Sequence, residues 1–123
     1  MTTRLAIVGL GLLVVLGSPT LARARAKGGK QDVSIRGEIV DTFCYATMGV
    51  KGGSHKQCGI DCARKGIPVG LLDKKANIHI LLPGKEKTAL PDEVVSRMGE
   101  TVTVTGHQHR KGGVAFLTVE SVK

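Results

Sequence analysis

Cys44, His55, Cys58 and Cys62 fall within one short stretch of the chain and together offer three thiols and one imidazole. Three thiolates and one imidazole make a closed tetrahedral set for Zn²⁺. Thiolates equally suit Cu(I), which accepts two or three of them with or without a histidine. The spacing His-x-x-Cys-x-x-x-Cys predicts a helix from His55 to about Lys65, with Ser54 as its N-cap and Gly66 and Pro68 as its stop. On such a helix His55, Cys58 and Cys62 sit at i, i+3 and i+7 and share one face, since Cβ atoms three or four apart lie about 5–6 Å from one another. Cys44, expected at the end of the first strand, joins them if the Gly-rich segment Gly49 to Ser54 folds back.

Three chemistries compete for these residues. Metal binding by Cys44, His55, Cys58 and Cys62, with copper first and zinc second, stands ahead of the others. Cysteines at i, i+4 on a helix have nearly parallel Cβ vectors and are poorly oriented to bond each other. A disulfide from Cys44 to Cys58 or Cys62 comes second; it would staple the insertion to the domain and stabilise it by roughly 2–4 kcal/mol. It leaves one thiol over, which a secreted protein usually avoids. Thiol–disulfide redox chemistry comes third: Cys58 lies near a helix N-terminus, where a thiolate is favoured, but no C-x-x-C motif is present.

Asp41, Asp61 and Tyr45 are candidates to hold a ligand side chain in place. For the two aspartates the plainer reading, a turn residue and a solvated helix residue, is preferred. His107 and His109 alternate with Val102 and Val104 and are expected to point outward, and His79 is expected on the outer face of its strand. No nucleophile triad, catalytic carboxylate pair or phosphate-cradling loop is present, so the chain is not expected to be an enzyme.

The elements that must position the cluster are mostly strands. Val33, Ile35, Gly37 and Ile39 alternate with polar neighbours and predict a strand from Asp32 to about Phe43. Val69 to Leu72 and Ile78 to Leu82 predict a hairpin, Pro91 to Met98 a short helix with Pro91 at its first position, and Thr101 to Arg110 and Val114 to Val122 a final strand pair. Five short strands with a helix between the third and fourth give the element order of an OB-like barrel. The expected fold is therefore a mainly β, five-stranded barrel, with a Cys-bearing helical insertion after strand 1. A small open antiparallel sheet is the alternative, less favoured because closure removes exposed edges.

The N-terminus reads as an export signal. A basic start to Arg4 precedes an apolar run, Leu5 to Gly17, and small residues at Ala22, Ala24 and Ala26 offer cleavage spacings. The run is too short for a helix crossing roughly 30 Å of hydrocarbon. The organisation expected is a signal peptide over 1–26, a flexible lead-in over 27–31 and one domain over 32–123, periplasmic or secreted, with no transmembrane segment once the signal is removed. From Lys27 onward, 15 Lys and Arg face 10 Asp and Glu, a net charge of +5 spread over turns. With only Phe43, Tyr45 and Phe116 as aromatics, nucleic-acid binding is not expected. The partner expected is another periplasmic or cell-surface protein.

The string Gly37-Glu38-Ile39-Val40-Asp41, Cys44-Tyr45, Gly53, His55, Cys58, Cys62, Gly66-Ile67-Pro68-Val69-Gly70-Leu71 resembles a group of small exported bacterial proteins, mostly described as hypothetical. The later Gly-x-Thr-Val-Thr-Val-x-Gly and closing hairpin are similar too. The resemblance spans nearly the whole chain after the signal, and implies export and domain shape without naming an activity. The Cys-x-x-x-Cys spacing is also similar to that of Sco-type copper chaperones, a local likeness because those have a thioredoxin-like fold.

Overall fold

The alternation that begins at Val33 builds the first wall of a closed barrel. The computed structural model describes residues 31–123; the expected signal peptide and all but the last residue of the lead-in lie outside them. In chain order the elements are β1 (Gln31–Asp41), α1 (Thr42–Met48), a 3-10 turn (Gly53–His55), α2 (Lys56–Arg64), β2 (Val69–Asp73), β3 (Ile78–Leu82), α3 (Asp92–Val95), β4 (Thr101–Lys111) and β5 (Val114–Val122). The strands close in the order β1-β2-β3-β5-β4 and back to β1. Every pairing is antiparallel except β3 with β5, which run parallel. The protein is a mainly β, five-stranded, OB-like barrel, with its helices after strand 1 and between strands 3 and 4.

The core is aliphatic. Ile39, Leu71, Val104 and Leu117 from the strands are fully buried against Val94 and Met98 from the α3 region, and Ile60 of α2 joins the same cluster. Burying a side chain of this kind contributes about 1.5–3 kcal/mol, which is how a domain so poor in aromatics sustains a single core. The α3 region is laced to β1 by two backbone bonds, from the Ile39 N–H to the Glu100 carbonyl at 3.0 Å and from the Gly99 N–H to the Ile39 carbonyl at 2.7 Å. Gly99 has φ +75°, and a Cβ there would run into the Gly52 carbonyl. A glycine lets the two turns touch.

Several boundaries differ from the sequence expectation, and the differences fall around the cysteines. β1 stops at Asp41 rather than Phe43, and α1, which was not foreseen, follows at once. Cys44 therefore sits in the first turn of a helix, not at a strand end. Asp41 is the reason: its Oδ1 accepts the Cys44 backbone N–H at 2.8 Å, an N-cap that turns the chain from extended to helical. Thr42 anchors the same junction to the start of β2 through its N–H and its hydroxyl, both donated to the Pro68 carbonyl. Helix α2 starts one residue late, at Lys56, with His55 as its N-cap; Ser54 lies inside the 3-10 turn and caps nothing. Pro91 likewise precedes α3 instead of opening it.

His79 is also corrected. It is 4 % exposed and faces the barrel interior with Leu81, not the outer face. Its polarity is met on both sides, by Asp73 Oδ2 at 3.1 Å from Nε2 and by the Gln108 amide at 3.0 Å from Nδ1. A buried polar group is tolerated when its bonds are made. His107 and His109 keep the expected outward side: His107 lies between Asp32 and Glu120, and His109 contacts the Thr118 hydroxyl at 3.1 Å. No helix among the described residues is long and apolar enough to cross a membrane.

Candidate metal centre

Asp41 organises the site from the end of β1. It is 1 % exposed, and its two oxygens divide the work. Oδ1 caps α1 and so fixes Cys44; Oδ2 lies 3.0 Å from His55 Nε2 and so fixes the imidazole. A neutral ring that donates Nε2–H to this carboxylate leaves Nδ1 with the free lone pair. Asp41 does stand at a turn, between β1 and α1, and its carboxylate also reaches His55. It is the side chain that joins strand, helix and histidine.

Helix α2 supplies the other two thiols. Its interior carries Gly59 between Cys58 and Cys62, a residue that costs a helix about 1 kcal/mol relative to alanine. The reason is contact: a Cβ at Gly59 would sit 2.5 Å from Met98 Cγ and 3.4 Å from Asp41 Oδ2. Only a bare backbone lets α2 lie this close to the barrel end. Replacing Gly59 with Ala is expected to lower stability by about 1–3 kcal/mol through overpacking, against the gain that helix propensity alone would give. Chemical denaturation of the two proteins checks this, and a more stable variant would show that Met98 yields freely.

Together these elements converge. The ligand atoms of Cys44, His55 and Cys58 all lie within 4.8 Å of one another, as do those of Asp41, Cys44 and Cys62. Cys44 belongs to both sets. The cluster can hold a metal ion. Its three cysteines are free thiols of graded exposure: Cys44 buried, Cys62 half-buried and Cys58 open to solvent.

Burial is the main influence on the inner thiols. It pushes the Cys44 thiol up to about 12, helped by hydrogen bonding and proximity to Asp41 and by the neighbouring Cys62. Burial raises Cys62 as well, with Asp41 and Cys58 adding to the rise and a hydrogen bond from Cys44 opposing it. Both thiols therefore carry their protons at neutral pH in the absence of a cation. A bound ion would have to displace those protons.

Two of the residues considered from sequence do not join the cluster. Asp61 points to solvent and accepts the Gln57 amide at 3.0 Å, one helical turn away. Tyr45 is half-buried and its side chain makes no hydrogen bond among the described residues. Sequence reasoning placed Met98 inward but passed over Gly59, which meets it and sets how close α2 approaches. A glycine inside a predicted helix, between two cysteines, was the available signal. No family model, no curated protein and no solved structure matches the chain.

Proposed function

We propose that this chain is an exported domain that binds a soft metal ion, copper first and zinc second, through Cys44, His55, Cys58 and Cys62. Its role is to handle that ion or deliver it to another periplasmic or cell-surface protein. One observation carries the reading: a buried thiol, an imidazole and an exposed thiol bring their ligand atoms within 4.8 Å of one another. Thiolate donors favour Cu(I), and a three-Cys, one-His set also satisfies Zn²⁺. The carboxylate behind the imidazole supports it further, because metal-binding histidines usually give their other ring N–H to such a group.

The gradient of exposure suits delivery. Cys44 and Asp41 are fixed in the barrel end, while Cys58 faces outward where a partner's ligand can meet the ion. Full-length protein purified without oxygen is expected to take up one Cu(I) or Zn²⁺ per chain, measured by elemental analysis alongside a count of free thiols. A Cys44 disulfide to Cys58 or Cys62, with no ion retained, would replace this reading with that of a stapled interaction domain. A mixed disulfide trapped at Cys58 or Cys62 would favour thiol redox chemistry instead.

The raised inner thiols give the ion affinity a direction with pH. Cys44 and Cys62 are protonated when free, so each gives up a proton on ligation, and affinity rises with pH by about tenfold per unit for each of them. Competition against a chelator of known affinity between about pH 6 and 8 measures the slope. A flat profile would mean that neither inner thiol is a ligand.

A further inference from the structure

A chain of clefts leads away from the cysteine cluster, and its walls are basic. The first is shallow and lies against Asp41, His55 and Lys51. Lys51 also borders a second, of about 340 Å³, together with Arg36 and Lys74. Arg36 and Lys74 in turn border a third, of about 490 Å³, which adds Lys75 and Arg110. Five cations thus line one continuous track from the cluster to the mouth of the barrel.

These charges are only partly balanced internally. None of Arg36, Lys51, Lys74, Lys75 and Arg110 pairs with a carboxylate among the described residues. Three carboxylates share the track, Asp41, Glu38 and Asp73, so the cations outnumber them by two, and each is hydrogen-bonded within the fold. Asp73 accepts the Lys75 and Asn77 backbone N–H groups, the Asn77 amide and His79 Nε2, while Glu38 accepts the Gly52 N–H. Arg36 and Lys74 line both the second and the third cleft. An unbalanced arrangement of this kind fits a surface whose counter-charges come from another molecule.

We propose that this track is a docking groove for an acidic polypeptide segment of a partner protein. Its length, over two adjoining clefts, exceeds what one small anion needs. No Phe, Tyr or Trp lines any of the three clefts, so the large stacking platforms that single-stranded nucleic acid favours are missing from them. An acidic segment laid along the groove would end beside His55 and Asp41.

The test uses the full chain with chelator present, so it stands or falls separately from metal binding. A short fluorescein-labelled oligoglutamate peptide is titrated with the protein and followed by anisotropy, at about 50 mM and then about 200 mM salt. Saturable, salt-sensitive binding is expected. It should weaken about tenfold in Arg36→Glu/Lys74→Glu and less in Arg36→Gln/Lys74→Gln. It should not change in Lys85→Glu/Lys87→Glu, whose side chains border none of the three clefts. Absence of saturable binding overturns the proposal. Equal weakening in the Lys85/Lys87 variant reduces it to attraction by net charge and overturns it too. Tighter binding of an oligothymidylate of the same charge would assign the groove to nucleic acid instead. The glutamine variant keeps the result readable if charge reversal disturbs the fold.

Discussion

Replacing Cys44 with Ser is expected to lower affinity for a soft metal ion by roughly a hundredfold to a thousandfold while leaving the domain folded. A four-ligand thiolate and imidazole site binds its ion with about 10–16 kcal/mol, so one thiolate carries a few kcal/mol of that, and a hydroxyl is a poor substitute toward a soft ion. The fold survives for a local reason. Cys44 donates its backbone N–H to Asp41 Oδ1, a bond the side-chain change leaves intact. A serine hydroxyl can also donate to the same carboxylate. Cys58→Ser should show a similar loss of affinity with even less effect on stability, because Cys58 is exposed. Metal competition and thermal unfolding of the apo proteins separate the two quantities. Unchanged affinity in Cys44→Ser would remove the buried thiol from the ligand set, and the metal reading with it.

The second large effect is expected at Asp41. Asp41→Asn keeps one side-chain oxygen and can still cap α1, since asparagine caps about as well as aspartate. It cannot also accept from His55, so the imidazole loses the group that orients it. Affinity for the ion should fall about 10–100-fold, with a stability loss of about 1–3 kcal/mol from the disturbed buried bonds. Asp41→Ala should be worse for the fold, because the Cys44 N–H and the His55 ring both lose their acceptor in a buried position. If Asp41→Asn lowers stability but leaves metal affinity and its pH slope unchanged, Asp41 is a cap alone and His55 is held by something else.

The barrel was legible because period-two patterning survives in the long strands β1, β4 and β5. Val102 and Val104 of β4, and Ala115, Leu117 and Val119 of β5, are buried where alternation puts them. β3 misled for a definite reason. In Ile78-His79-Ile80-Leu81-Leu82 both faces carry aliphatics, so parity had to be guessed from the histidine's polarity. The histidine goes inward because Asp73 and Gln108 are there to receive it, and no single-strand pattern encodes that. Helix α1 was hidden differently. Thr42-Phe43-Cys44-Tyr45-Ala46-Thr47-Met48 is rich in β-branched and aromatic residues that favour strand. What makes it a helix is its ends: the Asp41 cap and Gly49 with a left-handed backbone. The grouping of Cys44, His55 and Cys58 was legible from type and spacing, whereas the carboxylate that arranges them required the three-dimensional turn.

The parallel contact between β3 and β5 has a consequence for how the chain matures. β5 follows the other four barrel strands in the chain, yet it is bonded along both edges, to β3 and to β4. Even Lys123 exchanges backbone bonds with Thr103, at 2.8 and 2.9 Å. No earlier segment can seal the cylinder in its place. The barrel therefore stays unsealed until β5 has arrived, and the long-range pairing that completes it is of the slow kind. Under the export proposed above, late closure would keep the chain from reaching its finished shape too soon. By the same logic, an ion held by the cysteines would meet a closed barrel only once β5 is in place.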